Sequence, residues 1–349
     1  MIELDGSFGE GGGSVFRQAL ALSILTKKDF KIINIRKGRN NPGLAPQHQA
    51  SLEAAAKLCN AEVIGNYLGS TEVSFKPGEF KGGNHRIDIG TAGSITLLMQ
   101  SLLLPSIFSG KKVSFIIIGG TDVKWSQPFD YFNSVFLAQI RRYADIEAKL
   151  FRRGYYPKGG GEIRISINGI CSLENAPALL LLEQKRLLQI RGVSHASADL
   201  ADAKVADRQA ANAELSLKKM KVPISIATQY SRSESTGSGI TLWAVFGDDE
   251  VDQSNPVVLG ADVLGDRGKK AELVGMEAAE RLVEIIGSGA AVDEYLADQL
   301  IPFMAVASGI VRTKNITDHV RSNIYVAEKF LESKFIIKDN TIICEKQWQ

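Results

Sequence analysis

Three times along this chain a glycine-rich turn runs into an apolar helix, a β-branched strand, a second helix and two further strands. The first cycle opens at GEGGGSVFRQALALSILT, passes through FKIINIRK and PQHQASLEAAAKLCN, and closes with short strands around Ala61–Ile64 and Glu72–Phe75. The second restarts at IDIGTAGSITLLMQSLLLPSIFS and continues through KKVSFIIIGGT, PFDYFNSVFLAQIRRYA, IEAKLFRR and GEIRISI. The third reads GSGAAVDEYLADQLIPFMAVAS, GIVRTK, HVRSNIYVAEKFLES, KFIIK and NTIICEK. A 3.6-residue apolar period alternating with a period of two is what helices layered on a sheet demand. A unit that recurs in this way buries its apolar faces against its own copies. The expected fold class is therefore α/β, with three repeated α/β units packed together. The rhythm changes between the second and third units. LLQIRGVSHAS, PISIATQYS and GSGITLWAVFG read as strands, with SRSESTGSG as the loop between the last two. DLADAKVADRQAANAELSLKKM reads as a polar, alanine-rich helix, and KKAELVGMEAAERLVEIIGSG as a helix ending at a glycine. This predicts a smaller inserted α/β domain over 183–274, with 1–182 and 275–349 forming the large domain.

Composition narrows the function. The chain has 349 residues, of which 44% are hydrophobic and 23% charged, as in ordinary globular proteins. A formal charge of +2 supplies no global field for nucleic acid, so RNA would be held by local basic patches. The three cysteines, Cys59, Cys171 and Cys344, are too scattered for a disulfide framework or a CxxC metal site, and suit a reducing, cytoplasmic setting. The start MIELDGSFGEGGG lacks the pattern of a signal peptide. No apolar run reaches the length of a membrane span.

The glycine turns carry the first functional hints. Gly9–Gly13 follow a short strand and precede a helix, so backbone amides at a helix N-terminus are open to an anion such as phosphate. Their spacing is neither GxGxxG with a following acid nor a Walker loop. Glu10 sits among those amides. A carboxylate beside phosphate implies a bridging divalent cation, Mg²⁺ or Mn²⁺. RRGYYPKGGGE, Arg152–Glu162, reads as a hairpin, and its cations and tyrosines are also the means by which single-stranded nucleic acid is gripped. Arg36, Lys37 and Arg39 lead to a helix bearing His48. In ITDHVRSNIYVAEKF, Thr317 or Asp318 suits a helix cap, and Ile324, Val326, Ala327 and Phe330 suit a buried stripe. His319 thus falls at a helix mouth, where it reads as a packed side chain or as a chemical group.

Taken together, LDGSFGEGGGSVFRQALALS, GTAGSITLLMQ, RGYYPKGGGE, YLADQLIPFMAVA and HVRSNI resemble the RNA 3′-terminal phosphate cyclase family, in the family's order and over nearly the whole chain. The resemblance implies three repeats, each of two helices on a four-stranded sheet as in the enolpyruvyl transferases, with a small inserted domain. It implies ATP-dependent conversion of an RNA 3′-phosphate to a 2′,3′-cyclic phosphodiester, through AMP carried covalently on His319. It also implies Glu10 as the metal-binding acid, Arg17 as a phosphate contact and Gln100 as a nucleotide contact. Tyr295 would stack on adenine, with Pro128 closing the other side. Asp298 and Gln299 would bond ribose and phosphate, with Leu296 and Ala297 in the same pocket. Arg39 and His48 are weaker candidates for the RNA phosphate. The expected partners are RNA 3′-phosphate ends and ATP, without a membrane, and a homodimer is left open. Two rivals share the architecture: a non-catalytic branch that acts as an RNA-binding factor in ribosomal RNA processing, and an enolpyruvyl transferase. The first lacks the histidine and the second has no need of one.

Overall fold

The first cycle folds as strand β1 (Ile2–Asp5), helix α1 (Ser14–Thr26), strand β2 (Phe30–Ile33), helix α2 (Pro46–Cys59), and strands β3 (Glu62–Ile64) and β4 (Val73–Lys76). In this computed structural model, which describes residues 1–9, 11–252 and 254–346, these strands pair in the order β1-β2-β4-β3. Strands β1 and β2 are parallel and the other pairs antiparallel. A parallel pair needs a crossover, and α1 provides it.

The second cycle gives β5 (Gly83–Asp88), α3 (Ile95–Phe108), β6 (Val113–Gly119), the short helices α4 (Phe129–Tyr131) and α5 (Leu137–Ile140), β7 (Ala144–Arg152) and β8 (Gly161–Gly169). Its sheet order is β5-β6-β8-β7, with β5 and β6 parallel and the rest antiparallel. After β9 (Leu179–Leu181) the chain builds another sheet. It consists of β10 (Arg186–Ser197), β11 (Ile224–Ser231), β12 (Ser238–Gly247) and β13 (Val257–Leu264), in the order β11-β10-β12-β13. Helices α6 (Val205–Leu217) and α7 (Ala271–Gly287) pack on each other and on its strands. The chain then returns through α8 (Glu294–Ala307), β14 (Gly309–Arg312), α9 (Asp318–Phe330), β15 (Ser333–Lys338) and β16 (Thr341–Lys346). The last sheet is β9-β14-β16-β15, again with one parallel pair, β9 with β14. The result is a mixed α/β fold of four small four-stranded sheets.

Helices α1, α3, α8 and α9 touch one another at the centre. Helices α3 and α8 are buried along almost their whole length, as sequences apolar on every side require. In β6, alternate residues are buried, so one face meets the helices and the other faces outward.

Two local expectations need correction, over PFDYFNSVFLAQIRRYA and FKIINIRK. The single helix expected over PFDYFNSVFLAQIRRYA is α4 and α5 joined by a π-turn at Phe132–Phe136. That wider turn packs Tyr131 and Val135 onto β13 at Gly260, where a Cβ would overlap the Tyr131 ring. Strand β13 itself was not anticipated, although VVLGADVL is a short apolar run. The strand expected through FKIINIRK stops at Ile33, because Asn34 and Arg36 turn the chain with positive φ. Helix α7 runs through position 274 and packs against the β10–β13 sheet, and the Ile286 carbonyl accepts from Gln184.

Candidate active site

His319 is the second residue of α9, half-buried, in the turn capped by Thr317, whose hydroxyl accepts from the Val320 amide 3.3 Å away. The positive end of the helix dipole therefore lies at His319. The glycine loop is packed on this same end. Phe8 stacks on Tyr325 at 4.3 Å, and the Tyr325 hydroxyl accepts from the Asp5 amide. Gly9, at φ +65°, approaches α9 so closely that a Cβ would overlap Ser322 Oγ and lie 3.3 Å from the Asp318 carbonyl. Only glycine allows both that φ and that approach. Asn323 stands one turn beyond His319 on the same face and donates to the Asp298 carbonyl of α8 at 2.8 Å. Asn323 closes the HVRSNI stretch, and its i+4 spacing from His319 is the signal in the sequence that marks it.

A second group lies across α1. Arg17 is buried, and its Nε donates to Gln100 Oε1 on α3 at 2.9 Å. Burial pushes the guanidinium down to about 10, with Asp298 opposing that effect. His48 closes the group from α2. Burial first, then Arg17 and Arg36, push its imidazole down to about 3, so the ring is neutral at any working pH. A neutral ring offers phosphate a single N–H rather than a charge. His48 Nδ1 is buried with no hydrogen-bond partner among the described residues. Gly13 supplies the space: a Cβ there would overlap His48 Nε2 and fall 2.5 Å from Arg17 Nη1. Since Gly13 has an ordinary negative φ, Gly13→Ala tests crowding alone. It is expected to displace Arg17 or His48 and to cost about 1–3 kcal/mol of stability in urea denaturation, as overpacking of a buried site does. A variant as stable as the unaltered protein would show that the site has room to spare.

The remaining expected residues are spread more widely. Arg39 is exposed on the turn before α2. Tyr295, 48% exposed, opens α8, whose cap Asp293 accepts from the Tyr295 and Leu296 amides. Asp293 also accepts from the Tyr131 hydroxyl at 2.6 Å, which ties α8 to the α4 turn that begins at buried Pro128. Leu296 and Ala297 have side chains wholly in the core, so only their backbone can meet a ligand. Buried Gln299 donates back to the Tyr295 carbonyl at 2.8 Å. Asp262 of β13 adds an acid here that the sequence did not single out. Burial raises its carboxyl to about 7, with Asp293 and Asp122 adding and Arg281 opposing. Folding therefore binds a proton that the unfolded chain releases near pH 4, and stability falls as pH rises from about 4 to 7. Asp262→Asn is expected to remove this penalty. The gain should be about 1–2 kcal/mol at pH 8 after allowance for the half-buried carboxyl, and near zero at pH 4, in urea denaturation. Equal effects at both pH values would contradict the shift.

Among the described residues one group could hold a metal: Asp122, Asp130 and His195, all buried. It does not fit a cation. The Arg153 guanidinium already lies 3.1 Å from Asp122 Oδ1 and 2.8 Å from Asp130 Oδ2, and His195 Nε2 lies 3.2 Å from Asp122 Oδ1. The acids are neutralised from within the protein. Glu10, the residue expected to bind the divalent cation, lies outside the described residues.

Comparison with known proteins decides the family. A family model described as RNA 3′-terminal phosphate cyclase matches residues 8–337. The chain belongs to the RNA 3′-terminal phosphate cyclase family. Proteins of that name from Pyrococcus furiosus and Archaeoglobus fulgidus are each 44% identical to it, over 97% and 98% of this chain and 95% and 99% of theirs. The Methanosarcina acetivorans cyclase is 43% identical over 97% of both chains. Every residue expected at the site, from Glu10 to His319, falls inside the matched range. No helix among the described residues is long and apolar enough to cross a membrane.

Proposed function

We propose that this protein is an RNA 3′-terminal phosphate cyclase that uses ATP to close an RNA 3′-phosphate into a 2′,3′-cyclic phosphodiester, with AMP carried on His319. Three repeated units, one for each sheet of like order, would form its body, with the β10–β13 sheet and its helices as the insertion. The observation that carries the reading is the placement of His319 at a helix mouth. There Gly9 packs on the first turns of α9 and Asn323 reaches Asp298, which faces Arg17 and its partner Gln100, in a chain of this family.

His319 Nε2 attacks the α-phosphorus of ATP, and pyrophosphate departs with the electron pair of the broken P–O bond. Arg17, the glycine-loop amides and the α9 dipole balance the negative charge of the phosphates. An oxygen of the RNA 3′-phosphate then attacks the phosphorus of the His–AMP bond, and imidazole leaves as it takes a proton. The 3′-phosphorus now bears an AMP leaving group. The adjacent 2′-oxygen attacks it, loses its proton, and releases AMP. Both groups sit on one ribose, so the step has the advantage of an intramolecular reaction.

Tyr295 and Pro128 are assigned to the adenine, Asp298 and Gln299 to ribose and phosphate, with Leu296 and Ala297 contributing backbone only. Arg39 and neutral His48 are assigned to the RNA phosphate. A divalent cation on Glu10 would neutralise ATP phosphates, and no step above is routed through it. Incubation with α-labelled ATP and then with an RNA bearing a 3′-phosphate tests the reading. The expected result is an acid-labile protein adduct that RNA discharges as the cyclic end forms. Failure to take up label would leave an RNA-binding factor instead.

A further inference from the structure

The hairpin RRGYYPKGGGE divides sharply in two. Arg153 and Tyr155, which follow β7, turn inward, where both are almost wholly buried. The Tyr155 hydroxyl shares a 2.9 Å hydrogen bond with His195 Nδ1, and Arg153 is held by Asp122 and Asp130. The hairpin expected here forms between β7 and β8, and this pair is not open to a nucleic acid. Arg152, Tyr156 and Lys158 face solvent, and the Tyr156 ring is 76% exposed. An exposed tyrosine on a loose loop would mean little, but this one stands on a fixed mount. Arg152 Nε donates to the Gly160 carbonyl at 2.6 Å, and the Lys158 amide donates to Ser235 Oγ at 3.1 Å. Gly159 lies so close to Thr91 and Ala92 that a Cβ would fall within 2.8 Å of both.

That mount is continuous with the candidate active site. Thr91 and Ala92 belong to the turn ahead of α3, whose Ser94 amide donates to Gln47 Oε1 beside His48. The neighbouring segment 121–128 is pinned to the same corner. The Thr121 and Asp122 amides donate to the Gly154 carbonyl, and the Gln127 carbonyl accepts from Thr96 Oγ1 of α3. From this segment Trp125 projects, 94% exposed and at φ +64°. Left-handed backbone is unfavourable for a non-glycine residue, and no burial of the indole offsets it.

We propose that Tyr156 and Trp125 form a stacking platform for single-stranded RNA bases just upstream of the 3′-phosphate, with Arg152 and Lys158 taking the intervening phosphates. Aromatic faces accept any base, and cations beside them follow the backbone without reading sequence. The Glu234 carboxylate packed at Gly160 sets one border, since it repels phosphate. The proposal rests on the reading of RNA 3′-ends as substrate.

The test is direct binding by fluorescence anisotropy, using a labelled six-nucleotide RNA with a 3′-phosphate and a second one that is abasic just upstream of its end. Tyr156→Ala and Trp125→Ala are each expected to weaken binding of the first RNA by about five- to a hundredfold. Tyr156→Phe should bind as the unaltered protein does. Tyr156→Ala should cost nothing further on the abasic RNA, since the base it would stack is gone. RNA-free uptake of label from ATP should not change in any of these variants. Binding within twofold of the unaltered protein for both alanine variants, or an equal loss on both RNAs, would overturn the platform. If the unaltered protein binds the RNA with this pattern but never forms the cyclic end, the cyclase reading fails and the platform stands.

Discussion

His319→Asn is expected to abolish both the labelled AMP adduct and RNA cyclisation, with a loss of at least roughly a thousandfold, while leaving the melting transition almost where it was. Asparagine fits the first turn of a helix and presents an amide near the position of one imidazole nitrogen, but it offers no nucleophile. The Thr317 cap and the buried stripe of α9 do not depend on the ring. The ring is half-buried at the helix mouth, and a polar replacement of similar reach there is expected to cost no more than about 1 kcal/mol. The other three histidines are poor substitutes. His195 is 1% exposed inside an ion network, and His85 lies in β5 against Phe115. His48 is a neutral ring wedged between Gly13 and Arg17. Adduct formation should therefore vanish rather than move. A variant that still carried acid-labile AMP would place the nucleophile elsewhere and overturn the assignment.

The sequence was most legible where one periodicity runs unbroken. The amphipathic helix from Asp318 follows from local chemistry, with Thr317 rather than Asp318 as its cap and Val326, Ala327 and Phe330 buried, while Ile324 is only half-buried. Legibility failed where a partner is remote. Arg17 meets Gln100 across 83 residues, and Tyr131 meets Asp293 across 162, and no local pattern encodes either pairing. The hairpin shows a middle case. Arg152 ends β7 beside a register shift and Arg153 lies beyond it, so no alternation tells which of the two turns in, and only the surrounding sheets decide. Strand β13 was obscured because a short apolar run fits either a strand or a buried helix.

The remote pairing with the largest expected consequence is Asp122 with Arg153. Arg153 is 2% exposed, with Asp122 and Asp130 on its guanidinium and Gln229 Oε1 accepting at 2.9 Å from β11. With His195 on β10, this joins the second sheet to the β10–β13 sheet through charge, beside the apolar packing of Tyr131 and Val135 on Gly260. Burial works against the Asp122 carboxylate, but His195, Arg153 and the Thr121 hydroxyl together hold its pKa well below the ordinary range. A lowered acid contributes stability that is present above the unfolded value near 4 and lost as pH falls through the folded value, so the contribution is complete at neutral pH. Asp122→Asn keeps the shape but removes one of the two charges opposite a guanidinium that stays protonated. Breaking a buried pair from one side costs about 3–5 kcal/mol, and that loss is expected in urea denaturation at pH 7. Because the two sheets are joined here, amide exchange should accelerate first in β10 and β11. Arg153→Met together with Asp130→Asn in the same chain should restore most of the loss, since removing both acids with the guanidinium leaves neither carboxylate facing an empty site. A single variant as stable as the unaltered protein, or a triple variant no better than the single, would mean that the network neither holds the β10–β13 sheet nor needs its charge balance.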